Sequence, residues 1–135
     1  MKLEIWTEYG PLNSKPIFDA FIKSVRDAGD QVVLNKSTNA DVAVIWSVLW
    51  RGRMEQYKRI WNEYRSKGLP VIVIEVGGLR RNHSFKIGIN GINRDADFAN
   101  QTFDDKRWPL FKHTLRPWNP TGEMIVICGQ HDASE

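Results

Sequence analysis

The residues best suited to chemistry cluster just after one apolar run. Val71 to Ile74 is continuous and β-branched, and Glu75, Gly77-Gly78, Arg80-Arg81 and His83 follow at once. Two consecutive guanidiniums suit bidentate capture of a phosphate or carboxylate. Glu75 suits a base or an acceptor for a sugar hydroxyl, and equally a structural carboxylate paired with Arg80 or Arg81. The glycines allow a tight turn and a close approach, either to a ligand or to the chain's own turn at Gly129. In an open α/β sheet, ligands bind outside the carboxyl ends of the strands. The spacing is not GxGxxG and no helix clearly follows, which argues against a dinucleotide loop. A second strand end, Gly129-Gln130-His131 after Met124 to Cys128, faces the same reasoning. The expected ligand-binding set is therefore Glu75, Gly77, Gly78, Arg80, Arg81, Gln130 and His131. His83 and His131 read more simply as hydrogen-bonding residues than as catalysts.

A second constellation joins Trp50, Arg51, Arg53 and Arg59, with Lys58 beside them. Cations interleaved with an aromatic suit a macromolecular contact, nucleic acid included. Trp46 and Trp50 could stack on a sugar or base, or serve as a core residue and a loop anchor. No Ser-His-Asp order, P-loop or acidic metal cluster stands out, so no catalytic residue, metal or cofactor is assigned. The single cysteine, Cys128, lies inside the run MIVIC and reads as a buried small hydrophobe.

These residues must be positioned by a regular scaffold. Leu3, Ile5 and Trp6 read as a first strand, broken by Gly10-Pro11. A helix follows, with Ser14 as its cap and Pro16 in its first turn. Ile17, Phe18, Phe21, Ile22 and Val25 share one face, and Gly29 ends it. Gln31 to Leu34 and Asp41 to Trp46 read as two further strands around the polar loop Asn35 to Asn39. Met54, Tyr57, Trp61 and Tyr64 recur at helical spacing, with Ile60 beside them, between Gly52 and Gly68. Pro70 opens the strand that carries the first constellation.

Residues 1–78 thus read β-α-β-β-α-β, and 79–135 as a loop-rich part. That part has a short strand at Phe85 to Ile89 and a final one at about 124–128. The expected fold is a single α/β, Rossmann-like domain over 1–135 with a largely parallel sheet. The length of 135 residues suits one core. The formal charge of +3 permits a polyanionic partner without requiring one. No stretch suits a signal peptide or a membrane span, so a cytoplasmic setting is expected.

At ADVAVIW, PVIVIEVGGLRR…FKIGINGIN and GEMIVICGQ, between Asp41 and Gln130, the chain resembles a known family. The family is the N-terminal half of bacteriophage and bacterial proteins related to GT-B glycosyltransferases of the capsule-polysaccharide type. The likeness rests on the order of these phrases. It implies one of two Rossmann-like halves, the second of which holds the nucleotide-sugar donor while the first serves the acceptor. The strand ending in VICGQ resembles the one that leads into the second half. Only Cys128 to Glu135 remain from there, whereas a second half takes on the order of 100 residues.

The expectation is a glycosyltransferase-related phage protein without full transferase activity. It would bind a sugar, nucleotide or nucleic-acid ligand at its strand ends. The alternative is a non-catalytic phage protein that binds a host macromolecule, protein or nucleic acid, or belongs to an assembly. A small hydrolase or transferase acting alone ranks last, because no nucleophile–base pair is visible. Expected partners are a nucleotide-sugar, a nucleic acid or a host protein, with a second copy or a second subunit as further options and no membrane. The setting would be the host cytoplasm.

Overall fold

The apolar runs of the sequence become the strands of one sheet. The computed structural model describes residues 1–78 and 83–97 together with Lys106, Pro109 and Pro117; Arg94 is described by its backbone alone. The chain divides into two units, Met1–Phe98 and Ala99–Glu135, and the first is described here. Its strands are β1 (Lys2–Ile5), β2 (Gln31–Leu34), β3 (Val42–Trp46), β4 (Val71–Val76) and β5 (Phe85–Ile89), with helices α1 (Lys15–Asp27) and α2 (Glu55–Ser66). The sheet order is β2-β1-β3-β4-β5. β1 pairs in parallel with β2 and β3, and β3 with β4; β5 is antiparallel to β4. The molecule is thus an α/β fold with a mostly parallel sheet. The expected final strand at Met124 to Cys128 lies outside the described residues.

Every residue of β3 is buried, as its unbroken VAVIW pattern demands. Strand alternation sends Trp46 and Ala43 to opposite faces. Trp46 packs against Phe18 of α1, with ring centroids 5.9 Å apart, and against Phe85 of β5 at 6.2 Å. Ala43 is in register with Glu4, and the Glu4 carboxylate acts on the Tyr64 phenol of α2. One helix therefore covers each face. Trp46 is wholly core, and the stacking role considered for it has no exposed ring to use.

β4 extends through Glu75 and Val76, beyond the apolar run. Its continuation is set by cross-strand pairing with β5, where Glu75 is in register with Lys86 and Val76 with Phe85. A period-2 pattern does not reveal the direction of a strand, so the antiparallel hairpin was not legible. At its other end Asn90 clamps the hairpin. Its amide N–H donates to the Val71 carbonyl at 2.7 Å, its side-chain oxygen accepts from the Val71 N–H at 2.9 Å, and its side-chain amide donates to Asp97 at 2.6 Å.

The link from β2 to β3 has no helix. Both strands run parallel to β1, so residues 35–41 must return along it. Seven extended residues reach at most about 23 Å, enough for a strand of this length. Asn35 takes a positive φ of 50°, and its side-chain oxygen accepts from the Thr7 N–H at 2.6 Å and the Glu8 N–H at 3.2 Å. In the middle, the Thr38 N–H donates to the buried Glu4 carboxylate. At the far end, Asp41 and Lys2 exchange backbone and side-chain bonds at 2.9 and 2.8 Å. Burial, and then Glu4, push the Tyr64 phenol well above its usual range, although the two groups fall outside hydrogen-bonding geometry. Glu4 is a buried acidic side chain in a strand that its sequence presents as ordinary.

Ser14 corrects one local expectation. It occupies the cap position of α1, but its hydroxyl donates to the Pro11 carbonyl at 2.7 Å rather than accepting from the first helical amides. The chain enters α1 through a short turn at Leu12–Ser14 that already has helical backbone angles. In that conformation the hydroxyl folds back instead of forward.

Candidate functional site

The parallel strands put their carboxyl ends on one edge. From β1 the chain moves to β2 on one side, and β3 and β4 lie on the other, so the topological switch falls between β1 and β3. Ligands in open α/β sheets bind at such a switch. A crevice of about 430 Å³ lies at this edge. Thr7, Glu8 and Gly10 come from the segment after β1, Lys15 and Asp19 from the first turns of α1, and Arg53 from the segment after β3. Phe18, Ile22 and Leu34 supply an apolar wall. Elements from both sides of the switch therefore line it.

The charges of the crevice differ in availability. Lys15 is held by Asp19 at 2.7 Å. Glu8 and Arg53 are exposed, and neither takes part in an ion pair among the described residues. Both act on the buried Tyr57 phenol below, whose pKa is raised mainly by burial; Arg53 opposes the rise and Glu8 adds to it. Tyr57 donates to the Trp6 carbonyl at 2.9 Å and meets Tyr9 edge-on at 5.6 Å. This holds the segment after β1 against α2.

A free guanidinium suits a phosphate or carboxylate. A free carboxylate accepts from hydroxyls, and the apolar wall suits a sugar ring or a base. The two serines of the edge are occupied. Ser14 bonds Pro11, and Ser47, buried with φ 61°, accepts from the Leu49 N–H at 3.1 Å. No group of three metal-ligating side chains is present among the described residues.

The sequence-derived candidates divide. Glu75 is half-buried near the end of β4, and its carboxylate accepts from the following Val76 N–H at 2.8 Å. Gly77 donates to the Ser84 carbonyl at 2.8 Å, and a Cβ there would sit 2.5–2.7 Å from Ser84 atoms. What Gly77 approaches is thus the returning arm of its own hairpin. Gly78 is exposed with open space around it. Arg80, Arg81, Gln130 and His131 lie outside the described residues. His83 is exposed. Trp50 packs on Trp61 at 5.9 Å, with Arg51, Arg53 and Arg59 exposed near it in the chain.

Among the described candidates, only Arg53 lines the crevice. Thr7, Glu8 and Lys15 were missed because TEYGPLNSK matches no fingerprint. The usable signal was positional: the strand-end rule applied to β4 holds equally for the first strand.

No helix among the described residues is long and apolar enough to cross a membrane. Comparison with protein-family models, with curated proteins and with solved structures yields no match.

Proposed function

We propose that this chain is a ligand-binding domain of Rossmann-like type, related to the acceptor-side half of GT-B glycosyltransferases. Its ligand is a phosphate-bearing sugar, such as a nucleotide-sugar, held in the crevice at the carboxyl edge. The observation that carries the reading is the pairing of free Arg53 with free Glu8 across an apolar-walled crevice at the strand switch. Arg53 takes the phosphate and Glu8 accepts from sugar hydroxyls. Phe18, Ile22 and Leu34 exclude water from one side of the ring. The sequence resemblance supports a sugar-type ligand at the strand ends, as an acceptor-side half would hold. Binding, rather than group transfer, is what the side chains of the crevice supply.

Thermal denaturation with UDP-glucose tests this. A ligand that binds only the native state at ten times its Kd adds about 1.4 kcal/mol, roughly 5 °C in Tm for a chain of this size. Arg53→Ala should abolish the shift for UDP-glucose, and Glu8→Ala should weaken it, with both variants folded. Arg80→Ala with Arg81→Ala, measured alongside, asks whether the arginines after β4 contribute. An unshifted Tm across a panel of nucleotide-sugars and sugar phosphates would remove the proposal.

A further inference from the structure

One cluster of positive charge stands at and before the start of α2. Between Arg51 and Arg59 there are four cations and one acid, Glu55. On α1 the lysines are neutralised locally, Lys15 by Asp19 and Lys23 by Asp27. Lys67, just past the end of α2, is held by Glu63. Arg51, Lys58, Arg59 and Arg65 are exposed, and none takes part in an ion pair among the described residues.

Spacing puts Lys58 and Arg65 on one face of α2, whereas Arg59 lies about 100° further round. Tyr57, Ile60 and Tyr64 are the buried stripe of α2. Lys58, Trp61 and Arg65 repeat the same i, i+3, i+7 spacing one residue further on, about 100° around the helix. Trp61 is half-buried and carries Trp50 on its ring at 5.9 Å with a 55° tilt. Arg51 follows Trp50 directly. The flank therefore alternates cation and aromatic over roughly 10 Å of helix.

We infer that the Trp50–Arg65 flank is a binding surface for single-stranded nucleic acid. Arg51, Lys58 and Arg65 contact phosphates, and the Trp50–Trp61 pair offers a stacking platform for bases. Alternation of this kind is what sequence-tolerant strand binding needs: phosphates supply most of the affinity, and any base has a face to stack. An acidic protein would satisfy the cations but would not use the exposed part of the tryptophan pair, whose other side packs on the core. The proposal is independent of the crevice: Arg51, Lys58, Arg65 and the two tryptophans do not line it, and Arg53, which does, is not among the proposed contacts.

Fluorescence polarisation of the full chain with labelled dT12 and rU12, across 50–300 mM KCl, is the test. Three phosphate contacts give a slope of log K against log salt of about −2.1 for a single strand. Lys58→Ala with Arg65→Ala should bring it to about −0.7 and weaken binding at least tenfold at 100 mM. Lys23→Ala with Arg26→Ala removes the same charge from α1 and should leave slope and affinity unchanged. The two oligomers separate DNA from RNA as the source of the strand. No binding of either at 50 mM salt would overturn the inference. So would equal losses in the two double variants, or tighter binding of a duplex or of heparin than of both single strands.

Discussion

Tyr57→Ala is expected to lower the unfolding free energy by about 4 kcal/mol, the cost of emptying a large aromatic site in a core. Tyr57 is fully buried and belongs to the central cluster with Ile5, Trp46 and Ile60. It also joins three pieces of chain. Its helix is α2, its hydroxyl bonds the carbonyl of Trp6 at the end of β1, and its ring meets Tyr9 beyond it. Removing the ring opens a cavity beneath the segment that carries Glu8. Tyr57→Phe keeps the ring and removes only the hydroxyl, leaving the Trp6 carbonyl without that donor, and should cost about 1–2 kcal/mol. Urea unfolding checks both, with the midpoint shifted and the slope unchanged. A Tyr57→Ala midpoint within error of the Tyr57→Phe midpoint would mean that the ring is not packed as described.

Gly77→Ala is expected to cost about 3 kcal/mol, at the upper end for overpacking. The reason is local. A Cβ at Gly77 would stand 2.5 Å from the Ser84 hydroxyl, 2.6 Å from its carbonyl oxygen and 2.7 Å from its carbonyl carbon. Two of these atoms are backbone and belong to the bond that closes the β4–β5 hairpin, so they cannot swing aside. Gly78→Ala meets nothing within 4 Å and should change stability by no more than about 0.5 kcal/mol. The neighbours thus answer different questions. Gly77 is glycine because the hairpin is tight, whatever binds nearby. If hydrogen exchange at the Lys86 and Gly88 amides, which pair with β4, is as slow in Gly77→Ala as in the parent, the hairpin geometry is wrong.

Much of the scaffold was legible because its signals are local. VAVIW and VIVI read as buried strands, and the Phe18–Ile22 and Tyr57–Tyr64 stripes read as helix faces. What escaped depends on partners distant in sequence. Glu4 looks like a solvent-facing residue of KLEIW until Thr38, 34 residues on, donates to it. The direction of β5 is decided by its pairing with β4 and leaves no mark in FKIGI. Ser14 has the residue type of a cap, but a helical turn already precedes it. The crevice was hidden for the same reason. Glu8 and Arg53 are 45 residues apart in the sequence, and only the order of the strands brings them to one edge. Glu75 and the glycines drew notice because they follow the most conspicuous strand, whereas the switch that favours a ligand lies between β1 and β3.

The central claim is that a phosphate-bearing sugar binds where the segments after β1 and β3 meet. Backbone amide shifts in an NMR titration of the full chain with UDP-glucose locate the contact directly. The predicted result is a saturable set of shifts at Thr7, Glu8, Gly10, Lys15 and Arg53, lost in Arg53→Ala. Saturable shifts confined to other residues, or none at millimolar ligand, would contradict it.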